Sequence, residues 1–201
     1  MNLPNKLTLV RIFLVIPLII LLALFTWSVP DYNLVTTQSW QQGFLYGAGA
    51  IFIIAMITDA FDGHLARKNN QITIFGKLFD PLADKIIVTT TLIFLAIFRY
   101  TSPSIVVVFV IRDLIVDGSR NVAASNNIKV EASIWGKIKT VTQSIAIIIL
   151  LFFSPLVEKT GQNNLWQLSL LNIPMIIALI SSVFSGIQYF SQIVPIINKS
   201  K

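Results

Sequence analysis

The sequence predicts an all-α, polytopic membrane protein with six transmembrane helices and both termini in the cytoplasm. Three observations lead there. Apolar residues fill 55% of the 201 positions and charged residues only 12%. That is about half the charged share of a soluble domain, too little to cover a water-soluble globule. The apolar residues gather into six stretches, 7–27, 43–66, 78–98, 104–124, 138–154 and 167–195, each near the roughly 20 residues that cross a bilayer. Thirteen of the fifteen lysines and arginines fall on one side of that arrangement.

The first stretch has a basic start and an apolar middle, as a signal peptide does. It leads into Trp27, Pro30, Asp31 and Tyr32, an interfacial exit rather than a small-residue cleavage site, so it is expected to stay as a helix. Asn5 and Thr8 are expected to cap it. Arg11 lies inside the apolar run, placed either to snorkel to the interface or to reach a substrate phosphate. Residues 28–42 form a short polar loop with Trp40 as an anchor. The second and third stretches are joined by a segment carrying Arg67, Lys68, Lys77 and Lys85. The fourth holds Arg112, Asp113, Asp117 and Arg120, and the connection to the fifth adds Lys129, Lys137 and Lys139. The fifth is short at its polar start, where Ser133 and Gly136 predict a bend. Residues 155–166 form the second outer loop, anchored by Trp166. The sixth is interrupted by Pro174 and Pro195, which places its span at about 173–194. Only Arg99 and Lys159 fall on the opposite side from the remaining basic residues, so the positive-inside rule puts both termini and the 2–3 and 4–5 connections in the cytoplasm. No repeat or second domain is visible, and residues 1–201 read as one transmembrane domain.

The absence of cysteine excludes disulfides, thiolate metal sites and cysteine nucleophiles. The net charge of +6 orients a membrane chain and attracts anionic lipid. No base-reading motif or basic helix points to nucleic acid.

Four of the nine acidic residues, Asp59, Asp62, Asp80 and Asp84, fall in one short segment, DAFDGHLARKNNQITIFGKLFDPLAD. Spacings of three and four place each pair on one helical face, and the intervening turn allows the two helices to run antiparallel. Four carboxylates in one partly dehydrated pocket repel unless cations neutralise them. An all-oxygen donor set suits two Mg2+ or Mn2+ ions and not zinc, and two such ions clamp a diphosphate during phosphoryl-type transfer. Gly63, Ala66 and Gly76 leave room for a planar base or a phosphate to approach the backbone. Arg67 offers a bidentate donor for phosphate oxygens. Helical spacing turns His64 away from Asp59 and Asp62.

The pattern Asp59-x-x-Asp62-Gly63-x-x-Ala66-Arg67, eight residues, Gly76-x-x-x-Asp80-x-x-x-Asp84 resembles the signature of the CDP-alcohol phosphotransferase family at every motif position. The resemblance implies a six-helix membrane enzyme, usually a homodimer, with a cytoplasmic site. Such enzymes move a phosphatidyl or similar group from a CDP-linked donor to an alcohol and release CMP. By the family pattern Asp59, Asp62, Asp80 and Asp84 hold metal, Asp84 is also the general base, and Gly63, Ala66, Arg67 and Gly76 line the CDP site. The opening NLPNKLTLVRIFLVIP and the segments IRDLIVDGSR and SIWGKIKT resemble the bacterial branch of the family that makes phosphatidylglycerophosphate from CDP-diacylglycerol and sn-glycerol 3-phosphate. That likeness covers residues 2–145. It departs at Asp113, where glutamate is the familiar residue.

A glycerol phosphate is a small dianion and needs cations beside the metals. Arg112, Arg120, Lys137 and Lys139 are placed to supply them, since intramembrane charge is costly and tends to be functional. Asp113 and Asp117 are expected to pair with Arg120 or Lys139. Aromatic residues of the sixth stretch read as core or dimer contacts. Rival readings keep the reaction and change the acceptor, to phosphatidylglycerol for cardiolipin or to an inositol phosphate. A more remote rival is a cation-coupled transporter, which the clustering of carboxylates at one membrane edge disfavours.

Overall fold

Each apolar stretch is helical in a computed structural model describing residues 3–29, 39–68, 74–125, 134–157 and 165–199. Among these residues there is no strand. The helices are α1 (Leu3–Ser28), α2 (Ser39–Lys68), α3 (Ile74–Ile97), α4 (Pro103–Ser125), α5 (Ile134–Phe153), α6 (Leu165–Leu171) and α7 (Ile173–Lys199). Four segments, Asn5–Ser28, Ser39–Phe61, Ile134–Leu156 and Ile173–Ser191, are long and apolar enough to cross a membrane. α3 and α4 match the expected third and fourth stretches in position, and both carry charged residues along their length. Lys77, Asp80, Asp84 and Lys85 interrupt one, and Arg112, Asp113, Asp117 and Arg120 the other.

Three local expectations change. α1 starts at Leu3, so Asn5 and Thr8 are not caps; both lie buried within the helix. α5 starts at Ile134 with Gly136 in its first turn, where a bend was expected; Ser133 lies outside the described residues. α7 runs through Pro195. Pro174 sits in its first turn, where a missing N–H leaves no helical bond unmade, and the preceding break separates α6.

The described helices group into two compact units. The first comprises 1–101 and 147–171, the second 102–146 and 172–201. In the first unit α1, α2 and α3 pack together. Buried residues recur at spacings of three and four: Val15, Leu18, Leu22 and Phe25 on α1, Leu45, Ala48, Phe52 and Ala55 on α2, Ala83, Ile87, Thr91 and Leu95 on α3. This is the stripe an amphipathic helix turns to its neighbours. Phe25 meets Phe98 edge to face at 4.8 Å. Gly49 lets the Phe152 ring approach α2; a Cβ there would stand 2.5 Å from Phe152 Cε2. That ring also stacks on Tyr46, at 5.6 Å and 7°. α3 ends by Tyr100 N–H donating to Leu95 O and Arg99 N–H to Ala96 O, with Arg99 left-handed at φ 58. This is a Schellman stop with arginine where glycine is usual.

In the second unit α4 packs on α7, and the buried α7 face is mostly small: Ala178, Ser181, Ser182 and Ser185, ending at Tyr189. Small residues let membrane helices approach closely. In both units large apolar side chains also face outward, among them Phe13, Ile16, Leu114, Ile115, Phe184 and Ile187. In water such a surface would aggregate; lipid is the solvent that suits it. Trp27, Trp40 and Trp166 are exposed, as interface anchors are.

Candidate functional site

The acidic signature lies on the last turns of α2 and the first half of α3, two helices in contact. Asp59, Asp62, Gly63, Ala66 and Arg67 are carried by α2, and Gly76, Asp80 and Asp84 by α3. The side chains at 62–78 and 80, which include Asp62, His64, Arg67 and Asp80, lie outside the described residues. Asp59 and Asp84 are described. The Asp59 side chain is 43% exposed and its Oδ1 forms an ion pair with Arg11 Nη1 at 2.7 Å. Asp84 follows the buried Ala83, and its Oδ1 is sealed from solvent.

Arg11 is the largest fully buried side chain among the described residues. It is buried rather than snorkelling to the interface, one of the two roles its sequence position allowed, and it pairs with the first aspartate of the signature. Asn5, Thr8 and Arg11 lie three apart on α1 and are all buried, so α1 carries one buried polar stripe, and its Arg11 meets α2 at Asp59. Only the spacing of these three polar residues in an apolar run could have signalled it.

Among the described residues no three His, Cys, Asp or Glu side chains converge on one point, as expected when two of the four aspartates fall outside them. The donor chemistry fits a hard divalent ion: the signature offers carboxylate oxygens, no thiol exists in the chain, and the Asp59 side chain is 43% exposed.

The four cations expected to serve the acceptor, Arg112, Arg120, Lys137 and Lys139, belong to the second unit. Arg112 Nη1 donates to Asp113 Oδ1 at 2.9 Å. Its Nε donates to Ser182 O at 3.1 Å and its Nη2 to Ser185 Oγ at 2.5 Å. Gly186 makes room for it, since a Cβ there would stand 3.3 Å from Arg112 Cγ. Lys139 Nζ donates to both oxygens of Asp113, at 3.0 and 2.8 Å, and lies 5.6 Å from the Phe109 ring centroid. Asp113 thus bridges α4 to α5, pairing with Lys139 as expected and with Arg112, which was not. Arg120 donates to the Tyr189 hydroxyl at 2.6 Å and stacks over its ring at 4.9 Å, giving this aromatic residue of α7 a polar role that the sequence reading missed. The sign was a lone phenol, which seeks a hydrogen bond when buried, at the end of a serine-rich helix face. Arg120 and Lys137 are exposed, whereas Arg112 and Lys139 are largely enclosed. A groove of about 370 Å³ between α4 and α7 is walled by Val108, Ile115, Val183 and Phe190 with the Arg112 stem; its apolar walls do not suit a phosphate.

Comparison with known proteins adds the following. The family model of CDP-alcohol phosphatidyltransferase matches residues 1–189. The chain is 41% identical over 192 residues to the CDP-diacylglycerol–glycerol-3-phosphate 3-phosphatidyltransferase of Bacillus subtilis, covering 95% of this chain and 94% of that one. It is 38% identical over 198 residues to the protein of the same name from Mycoplasma pneumoniae, covering 96% and 87%. The Mycoplasma genitalium counterpart is 37% identical over 203 residues, covering 94% and 82%.

Proposed function

The chain belongs to the CDP-alcohol phosphatidyltransferase family, and from that premise we propose that it transfers the phosphatidyl group of CDP-diacylglycerol to sn-glycerol 3-phosphate, giving phosphatidylglycerophosphate and CMP. The observation that carries the reading is near full-length likeness to relatives bearing that activity in their names, joined to an acidic signature complete in this sequence. The family match spans residues of both compact units, which supports one transmembrane domain. Six long helices and the one-sided basic residues support six spans with cytoplasmic termini and a cytoplasmic site in the cell membrane. A homodimer rests on the family resemblance alone.

Asp59, Asp62, Asp80 and Asp84 would hold the divalent ions, Mg2+ or Mn2+. Such ions neutralise the donor diphosphate and the charge that develops on it. Gly63, Ala66 and Gly76 leave space for the cytidine and phosphates, and Arg67 binds a phosphate oxygen. Asp84 accepts the proton of the acceptor 1-hydroxyl. That oxygen bonds to the β-phosphorus, the bond from this phosphorus to the bridging oxygen breaks, and CMP departs with the electron pair. Arg120 and Lys137, both exposed, take the acceptor phosphate, while Arg112 and Lys139, engaged by Asp113, hold the frame around it.

The test is an acceptor screen. Purified enzyme with CDP-diacylglycerol and Mg2+ is offered glycerol 3-phosphate, phosphatidylglycerol and inositol phosphate in turn, with CMP release as the readout. Glycerol 3-phosphate is expected to support turnover well above the others. Preference for another acceptor overturns the acceptor assignment, and no CMP release with any overturns the reaction.

A further inference from the structure

The Arg11–Asp59 pair joins α1, which carries no part of the acidic signature, to the first aspartate of that signature. A guanidinium with 0% of its side chain exposed, 2.7 Å from a carboxylate that is 43% exposed, is an asymmetric pair: the cation is locked and the anion faces an opening. Burying an arginine costs several kcal/mol unless a partner compensates it, and a surface ion pair would not require such burial. Asn5 and Thr8, six and three residues before Arg11, are buried on α1 with it. On the α2 side Asp59 follows Thr58, whose hydroxyl bonds back to Ile54 O and Ala55 O, so α2 keeps its helical path to the carboxylate. Arg11 therefore forms an ion pair with Asp59 Oδ1, and the Asp59 side chain stays 43% exposed beside it.

We propose that Arg11 is a positioning residue for the reaction: it fixes the Asp59 carboxylate in one orientation ready for the divalent ion. The inference rests on the reading above that Asp59 is a metal ligand. Two effects oppose each other. The guanidinium repels an incoming cation, and a carboxylate held in place binds it better than one that must be ordered at the moment of binding. Partners of metal ligands typically cost 10–100-fold in metal affinity when removed, so the holding effect wins. α1 thereby serves the active site through its packing on α2.

The test measures Mn2+ binding, read from the electron paramagnetic resonance of free Mn2+, on the purified full-length chain in micelles. Wild type, Arg11→Gln and Asp59→Asn are compared, with size-exclusion elution and thermal unfolding as the check on folding. Arg11→Gln is expected to fold and to bind Mn2+ about 10-fold more weakly or worse. A loss below fivefold, or tighter binding, overturns the proposal. Should Arg11→Gln fail to fold, Arg11→Lys replaces it. This variant keeps the buried charge but lacks the planar fork that orients a carboxylate. It is expected to lose threefold or more, and a smaller loss overturns the proposal. If wild type binds no Mn2+, or Asp59→Asn binds it as tightly as wild type, the metal role of Asp59 itself falls and the inference with it.

Discussion

Replacing Asp113 with asparagine keeps the side chain's shape and removes its charge from a cluster of two cations and one anion. The carboxylate accepts three charge-assisted contacts at 2.8, 2.9 and 3.0 Å, and the side chains of Arg112, Lys139 and Asp113 are 13%, 8% and 21% exposed. Little water is at hand to compensate for the change. Hydrogen bonds to charged groups are worth about 1.5–3 kcal/mol each, but summing three would count the same desolvation repeatedly. A second route considers what remains. Unit charges about 5 Å apart repel by about 3 kcal/mol at an effective dielectric constant of about 20. Removing one partner of a buried pair costs about 3–5 kcal/mol, in agreement. At about 2–4 °C per kcal/mol for a chain of this size, Asp113→Asn is expected to lower Tm by about 6–20 °C, read by tryptophan fluorescence in micelles. Adding Lys139→Met removes one of the orphaned cations, and the double variant is expected to regain at least half the loss. A single variant within about 2 °C of wild type, or a double variant lower than the single, would refute the bridging role. Lys139 would then be free to serve the acceptor phosphate directly.

Other outcomes follow from the same picture. EDTA is expected to abolish CMP release and Mg2+ or Mn2+ to restore it; full turnover after thorough chelation sinks the divalent-ion reading. Asp84→Asn is expected to lose about 10²–10⁴-fold in kcat, the usual worth of a general base, and a variant within threefold of wild type refutes that role. Arg120→Ala and Lys137→Ala are each expected to raise the KM for glycerol 3-phosphate about 10–150-fold, the equivalent of about 1.5–3 kcal/mol for one charged contact, with the KM for CDP-diacylglycerol nearly unchanged; equal weakening of both substrates assigns these cations to the fold. Two glycines of α2 should respond oppositely to alanine. Gly43 has open space around it, and helix propensity favours Gly43→Ala by about 0.5–1 kcal/mol. Gly49→Ala is expected to lower Tm because its Cβ meets the Phe152 ring; the same sign of shift at both positions contradicts the packing described.

How the sequence relates to the fold is clearest at particular residues. The helices were legible because an apolar run of bilayer length is a local property, and so is the spacing that sets Asp59 beside Asp62 and Asp80 beside Asp84 on a helical face. Helix ends were less so: Asn5 and Thr8 read as caps because capping residues and buried polar residues share the same side chains. The partners of charged groups on another helix were legible only in part. Arg11 chose Asp59 on α2, and Arg120 chose Tyr189, 69 residues away. Asp113, with Arg120 and Lys139 both in prospect, took Lys139, 26 residues away, and its own neighbour Arg112. The amino-acid order settles which residues are charged and which face of its own helix each occupies. The rotation of one helix against another, set by the summed fit of small and large side chains along the whole contact, decides which charge meets which, and that fit exists only once the chain has packed.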